Sequence, residues 1–315
     1  MSSASTSKIS TTLSSGAQKD YFLKTGTGRA AEVMFEGEHA SLNAVHNAVP
    51  SLCPRSYGWG QFEGEGKKGT SFLVTDFLEL GGRRGSAGGG AGEEKKMTLA
   101  QKMAKLHTTP APVPEGFERP MFGFPVTTCC GDTPQDNTFS ESWAEFFAER
   151  RLRFILKRSE KSNGADAELK ELVEKTTSRV VPRLLGDGHL GGKDGTKPVV
   201  VHGDLWSGNA SRGTIMDGAK EEAKDVQDVV YDPSACYAHG EYDLGIMKMF
   251  GGFGSSFFEE YHELCPKTEP VSEYEDRISL YELYHHLNHH ALFGGGYRSG
   301  AVSIMKKIIS KYGDN

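Results

Sequence analysis

Short apolar runs separated by turn residues fill the first 78 residues, a pattern typical of β-strands joined by hairpins. The aromatic run at 21–24 follows a turn-forming serine and glycine segment, so we predict strands at 9–13 and 21–24. A polar loop over 2–8 is expected to precede them. Trp59, the glycines after it and the run 71–77 predict two further strands. These elements together predict a small sheet.

One helix is predicted within this region, over residues 30–49, ending before a proline. Phe35, Leu42 and Val45 recur at helical spacing and therefore share one face. Glu38 falls on the same face. An acid on an otherwise apolar stripe needs a specific partner, since a buried charge is costly when it is unpaired.

The remainder of the chain is predicted to be mostly helical. The glycine-rich run 81–96 has no large apolar side chain and is typical of a linker or insertion. Apolar periodicity predicts helices over 97–107, 141–156, 167–185 and most of the tail from Tyr242, with buried strands at 199–201 and 229–231. The expected organisation is therefore an N-terminal lobe over 1–78, whose first strand is missing or shortened, a linker or insertion over 79–96, and a helical lobe over 97–315.

Composition excludes two classes of function. The chain has 315 residues and a formal net charge of −6, so it lacks the basic surface of a nucleic-acid binder. No run approaches the roughly 20 apolar residues that a membrane-spanning helix needs. An odd number of cysteines, no C-x-x-C pair and no signal-like opening segment favour reduced thiols in a cytoplasmic protein. Oligomeric state is not indicated.

The strongest chemical signal follows the predicted strand at 199–201. His202, Asp204 and Asn209 have the order and spacing H-x-D-x-x-x-x-N. In phosphoryl-transfer enzymes this loop supplies an Asp that accepts the proton of the acceptor hydroxyl and an Asn that binds Mg²⁺. Taken alone, the motif also arises by chance, so other residues along the chain are needed to identify it as a catalytic loop.

Two further elements occur in the order that phosphoryl transfer requires. Asp232 ends an apolar strand after Asn209, where a second Mg²⁺ ligand is expected. Lys24 on a strand and Glu38 on a helix suit the ion pair that grips ATP phosphates. Alone, Asp232 reads as a turn residue and Lys24 as a solvated strand lysine. Their conjunction predicts an ATP-dependent phosphotransferase with an α+β, two-lobed, protein-kinase-like fold, a small β-rich lobe and a larger helical lobe.

Two features differ from protein kinases. Gly203 stands where H-R-D has arginine, and Pro233 follows Asp232 in place of Phe-Gly. Regulation by a phosphorylated activation loop is therefore not expected. A small or side-chain-borne hydroxyl is a better substrate than an extended peptide.

The motifs around this loop resemble those of the fructosamine/ketosamine-3-kinase family, relatives of aminoglycoside phosphotransferases. The resemblance rests on HGDLWSGN, DPSACYAHGEYDLGIMKMFGGF, MFEGE, FLVTDFL, CCGDTPQDN and LNHHALFGGGYR, and it spans most of the chain. It implies an enzyme that uses ATP and Mg²⁺ to phosphorylate the 3-hydroxyl of a ketosamine, on a free amine or a glycated protein. The product is unstable, which links the family to deglycation.

The resemblance also implies roles for individual residues. Asp204 would be the base, Asn209 and Asp232 the metal ligands, Lys24 and Glu38 the nucleotide pair, Asp76, Phe77 and Leu78 the backbone contacts to adenine, and Trp206 and His289 the substrate contacts.

Several alternatives stay open. Trp206 either stacks on a sugar or simply packs, and His239 and Glu241 are expected to orient the loop. The histidines at 285, 286, 289 and 290 have a spacing that also suits zinc, although no other ligand lies near them in sequence. Rival functions are a kinase of the same fold for an aminoglycoside, choline or homoserine-like alcohol, a non-catalytic nucleotide-binding module, and a zinc hydrolase. Choline would need an aromatic cage, which Trp206 alone does not make.

Three departures from the family pattern are noted. The expected phosphate-covering loop at 2–8 contains no glycine, which makes its backbone stiffer. The cysteine that some relatives carry there is absent. Residues 81–96 and 213–225 are expected to be insertions.

Overall fold

The computed structural model describes residues 4–64, 66, 69–81, 96–218 and 226–313. The strands are β1 (Ser5–Thr12), β2 (Gln18–Thr27), β3 (Ser56–Gln61), β4 (Thr70–Leu80), β5 (Cys129–Cys130), β6 (Thr133–Pro134), β7 (Val199–Val201), β8 (Ala210–Met216), β9 (Gln227–Val230) and β10 (Cys236–Ala238). The helices are α1 (Gly28–Ala48), α2 (Leu99–Thr108), α3 (Trp143–Phe146), α4 (Phe154–Asn163), α5 (Ala167–Lys175), α6 (Val181–Leu185), α7 (Tyr242–Phe250), α8 (Ser255–Leu264), α9 (Tyr274–Phe293) and α10 (Tyr297–Tyr312).

The main sheet is antiparallel and has six strands. Its order is β1-β2-β4-β8-β9, and β3 pairs with β4 as well. The second half of β4 pairs with β8, from Phe77 opposite Met216 to Leu80 opposite Gly213. The sheet therefore combines strands from the start of the chain with a hairpin that follows the H-x-D-x-x-x-x-N loop.

The expectation of a polar loop over residues 2–8 is wrong for part of that segment. Ser5 to Lys8 belong to β1, and Ser5 pairs with Thr25 of β2. The side chains of residues 5–8 are all exposed, so this half of β1 has no apolar alternation that would reveal a strand. The strand predicted at 9–13 is confirmed over residues 9–12, as the second half of β1, and those predicted at 21–24, near Trp59 and at 71–77 are confirmed within β2, β3 and β4.

Helix α1 joins two separate apolar cores. Ala31 and Phe35 pack with Leu73 in a small cluster under the sheet. Leu42 and Val45, two to four turns later, belong to the larger core of the helical region. Glu38 lies on this face between the two clusters, so its charged side chain interrupts the apolar stripe without entering either cluster.

The helical region is confirmed, with local differences. The helix predicted over 141–156 runs from α3 to α4 through a π-helical segment, Phe147–Arg153. A second π-helical segment, Thr176–Val180, joins α5 to α6. Trp143 is buried at the centre of this core, where its indole N–H donates to the hydroxyl of Tyr281. The tail is helical as predicted, from α7 to α10.

No helix in the described ranges is long and apolar enough to cross a membrane. The predicted glycine-rich linker lies mostly outside the described residues, as do residues 219–225 of the second expected insertion. The described beginning of that insertion, from Gly213 to Met216, is the end of β8.

Gly37 gives a test of how closely α1 approaches the helical region. A Cβ at this position would lie 2.5 Å from the carbonyl oxygen of Thr127, which is backbone and has little room to move. Alanine improves helix propensity by up to about 1 kcal/mol, but overpacking costs roughly 1–3 kcal/mol. We expect Gly37→Ala to lower the free energy of unfolding by about 1–2 kcal/mol in urea titrations.

Asn47, an exposed residue of the same helix, provides the matched control. Asn47→Ala is expected to change stability by less than about 0.5 kcal/mol. A Gly37→Ala variant as stable as the control would show that α1 does not contact the Thr127 backbone tightly.

Candidate active site

The loop that carries His202 and Asp204 is fixed by one buried carboxylate. Asp243, in the first turn of α7, accepts hydrogen bonds from the backbone N–H of His202 and of Gly203, each at 2.7 Å. His107 Nε2 lies 3.0 Å from the same carboxylate. These bonds outweigh the effect of burial and keep the pKa of Asp243 below its usual value.

Gly203 is required by the shape of this loop. Its φ is +81°, in the left-handed region, and a Cβ would lie 2.0 Å from the carbonyl oxygen of Ser234. An arginine at this position, as in protein kinases, does not fit. The glycine therefore belongs to the way this loop packs against the segment after Asp232.

Asp204 follows in a partly buried position at the start of the turn. Asn209 Nδ2 donates to the Asp204 main-chain oxygen at 2.9 Å, and the buried Cys130 lines the same cavity as Asp204. Burial, and next the negative charges of Asp232 and Asp243, raise the pKa of Asp204 to about 7. This carboxyl is poised to exchange a proton near neutral pH.

Lys24 connects the sheet to the segment after β9. Its Nζ donates to Glu38 Oε1 at 2.7 Å and to Asp232 Oδ1 at 2.6 Å. Burial disfavours the ammonium, but the two carboxylates outweigh that effect and hold the pKa of Lys24 above its usual value. Asp232 has a φ of +54°, a left-handed conformation that aspartate tolerates better than most residues.

A cavity of about 350 Å³ opens beside these charges. Its walls are largely apolar and include Phe22, Met34 and Leu78, while Lys24 and Asp232 contribute charged groups to its lining. An apolar slot that contains a cation and a carboxylate suits the apolar base and the charged phosphates of a nucleotide.

Of the three residues expected to contact adenine, Leu78 is the best placed. Antiparallel strands are hydrogen-bonded through every second residue. Because the Gly81 N–H donates to the Arg212 carbonyl, the backbone N–H and C=O of Phe77 point toward β8, and those of Leu78 point away from it. The Asp76 side chain is buried, where it accepts a bond from Tyr57 and pairs with Lys19. The Phe77 ring lies instead under the ammonium of Lys8.

The oxygens of Asn209 and Asp232 fit a magnesium ion bound together with phosphates. Mg²⁺ prefers hard oxygen ligands and commonly takes only one or two from protein. Asn209 uses its Nδ2 to bond Asp204, which leaves its amide oxygen as the acceptor of the side chain. Within the described ranges, which include the four histidines of α9, no group of three or more His, Cys, Asp or Glu is arranged to hold a metal ion.

A second cavity, of about 250 Å³, is lined in part by Asp204. Trp206 and His289 both line it, as do Cys130 and Asn288. The Trp206 ring covers Gly208 so closely that a Cβ there would lie 2.2 Å from the ring. The structure thus brings the two expected substrate contacts to one cavity with Asp204.

Several residues of this site were not singled out in the sequence. Asp243 was detectable as an acid in the apolar run YDLGIM, which needs a buried partner. Phe250, Phe293 and Tyr297 also line the second cavity, but nothing in their local sequence points to it. Glu241 lies elsewhere, paired with the buried Arg277.

Comparisons with known proteins show the family of this chain. The fructosamine kinase family model matches residues 2–311. The mouse protein named ketosamine-3-kinase is 34% identical over 296 residues, which cover 91% of this chain and 87% of that protein. The Arabidopsis thaliana protein named protein-ribulosamine 3-kinase, chloroplastic, is 34% identical over 289 residues, which cover 92% and 76%.

Solved structures show the same fold. The crystal structure of a "putative fructosamine-3-kinase" from Thermobifida fusca aligns with a TM-score of 0.67 and 22% identity, and covers 98% of this chain and 95% of that one. A thermostable mutant of aminoglycoside phosphotransferase APH(4)-Ia aligns with a TM-score of 0.51 and 12% identity, and covers 97% and 91%. The predicted protein-kinase-like fold class is confirmed, and the family match over nearly the whole length shows that this chain belongs to the fructosamine kinase family.

Proposed function

We propose that the protein is an ATP-dependent ketosamine-3-kinase that phosphorylates the 3-hydroxyl of ribulosamine or fructosamine adducts. The observation that carries this proposal is the placement of Asp204. Asp204 lines the second cavity together with Trp206 and His289, and it lies close enough to Asp232, which lines the nucleotide-shaped cavity, for that charge to raise its pKa. A carboxylate placed near both cavities suits direct transfer from one bound molecule to another.

In the proposed reaction, each residue acts on a different part of the two substrates. Lys24, held by Glu38, neutralises phosphate charge, and Leu78 offers backbone groups to adenine. Asn209 and Asp232 would hold Mg²⁺, whose charge offsets the negative charge that develops on the phosphates. Asp204 orients the 3-hydroxyl and accepts its proton late in the transfer.

The names of the relatives support ketosamines as the substrate class, including adducts on protein lysines. Since a 3-phosphorylated ketosamine is unstable, we propose deglycation as the outcome. We also propose a cytoplasmic location, which the odd cysteine count and three fully buried thiols support.

A panel of acceptors tests the activity. The full chain with Mg²⁺-ATP is incubated with a ribulosamine, a fructosamine, a glycated peptide, free sugars, an aminoglycoside and choline. We expect ADP release with the ketosamines, and a 3-phosphate signal in the ³¹P NMR spectrum of the product. ADP release with only the aminoglycoside or choline would favour the rival kinases. No release with any acceptor, despite Mg²⁺-ATP binding, would favour a non-catalytic module.

Removal of the base tests the role of Asp204. Asp204→Asn is expected to lower kcat about a thousandfold, the scale of general-base catalysis, while Mg²⁺-ATP still raises the melting temperature. Asp187→Asn, which changes an exposed aspartate in the loop after α6, is the control and should keep normal turnover. A near-normal kcat in Asp204→Asn would overturn the assignment.

The raised pKa of Asp204 also predicts a change in stability. A carboxyl with a folded pKa of about 7 and an unfolded value near 4 destabilises the fold as pH rises through that window, because the folded state binds the extra proton. Replacing it with a neutral amide should therefore stabilise the protein above pH 7. We discount the full shift for partial exposure and expect Asp204→Asn to gain about 2 kcal/mol at pH 8.

Calorimetric melting of wild type and Asp204→Asn at pH 5 and pH 8 measures this effect. The gain should amount to several degrees at pH 8 and shrink at pH 5, where the wild-type carboxyl is protonated in the folded state. A gain that does not depend on pH would mean that Asp204 titrates normally.

A further inference from the structure

The second cavity is walled by a continuous series of aromatic rings. Trp206 lies 5.6 Å from Phe250, and Phe250 lies 5.1 Å from His289, between ring centroids. His289 in turn lies 5.1 Å from Tyr297 and 5.7 Å from Phe293. All five rings are exposed or half-buried rather than buried in the core. This cavity therefore contains the aromatic enclosure that Trp206 alone does not provide.

These rings are not explained by packing alone. Phe293 is 62% exposed, and Phe250 and Trp206 are each 38% exposed. Large apolar side chains that stay exposed around one cavity indicate a ligand-binding surface. They come from three separate parts of the chain: the loop after β7, the end of α7 and the junction of α9 with α10.

The charge of the cavity favours a cation. Among the described residues that line it, none is lysine or arginine, and Asp204 is the one carboxylate. His289 adds no positive charge near neutral pH, because burial lowers its pKa. Its Nδ1 donates to the His285 carbonyl at 2.8 Å, so the neutral ring presents Nε2 as an acceptor.

The chemistry of a ketosamine brings a cation to this place. Its nitrogen is separated from the 3-oxygen by four bonds of about 1.5 Å, so the two atoms lie no more than about 5 Å apart. An alkylated amine keeps its positive charge, whereas an acylated one loses it. A 3-hydroxyl held at Asp204 therefore puts a charged nitrogen inside the aromatic enclosure.

We propose that Phe250, Phe293 and Tyr297, together with Trp206, recognise the protonated amine of the ketosamine by cation–π contact and so select N-linked sugars over neutral ones. This inference rests on the proposed function and adds the residues that determine specificity for the charged amine. Aromatic faces attract a cation within about 6 Å without offering a second carboxylate, which would compete with Asp204 for the same charge. The open rim at Phe293 leaves room for the chain that carries the amine.

The test compares two substrates that differ in one atom. One is an N-alkyl 1-amino-1-deoxyfructose, and the other is the ether in which oxygen replaces the amine nitrogen. We expect wild type to prefer the amine in kcat/KM by at least about tenfold. Phe250→Leu and Phe293→Leu, which keep an apolar side chain but remove the ring, should each reduce this preference by about fivefold.

Leu292→Val is the matched control, because Leu292 lines the same cavity without a π face. It should change the ratio between the two substrates by less than about twofold. Circular-dichroism melting confirms that each variant is folded. A wild-type ratio near one, or ring variants that shift the ratio no more than Leu292→Val does, would overturn the proposal.

A binding measurement separates this inference from the proposed function. Choline and its neutral isostere 3,3-dimethyl-1-butanol are titrated into the enzyme and followed by NMR. We expect choline to bind more tightly than the isostere, and Phe250→Leu to remove about fivefold of that difference. If neither sugar substrate is phosphorylated while this preference remains, the ketosamine reaction fails and cation recognition stands. Equal binding of choline and the isostere would overturn cation recognition itself.

Discussion

Repulsion among three neighbouring carboxylates constrains the whole active site. Asp232 and Asp243 both raise the pKa of Asp204, so each must be held in place by groups that offset its charge. Asp243 is satisfied by two backbone N–H groups and His107, and Asp232 by the ammonium of Lys24. The repulsion that these groups leave uncompensated raises the pKa of Asp204, the carboxyl that is proposed to accept the substrate proton.

Helix α1 connects this electrostatic arrangement to the packing of the fold. It carries Glu38, which orients Lys24, and Ser41, whose hydroxyl accepts a hydrogen bond from the Ala235 backbone just beyond Asp232. Both ends of the same helix are anchored in apolar cores. The position of the lysine relative to Asp232 is therefore set by packing on both sides of the cleft.

The sequence predicted local features well and spatial groupings poorly. Helical periodicity identified the face of α1 that bears Glu38, and loop spacing identified Asp204 and Asn209. It did not reveal the first half of β1, because residues 5–8 are all exposed and have no apolar pattern. Nor did the sequence show that the backbone groups of Leu78, and not those of Phe77, point away from β8, because this depends on the register between β4 and β8. The rings around Asp204 come from distant segments, so only Trp206 and His289 were found, through their motifs.

The pairing of β4 with β8 has a consequence for synthesis of the protein. Leu80 and Gly213 are neighbours in the sheet but lie more than a hundred residues apart along the chain. At about 5–20 residues per second, a ribosome needs roughly 7–27 seconds to make the partner strand. During that interval the end of β4, with Phe77 and Leu78, emerges with one hydrogen-bonding edge unfilled. A chaperone that binds unpaired strand edges of nascent chains would therefore act mainly during this interval.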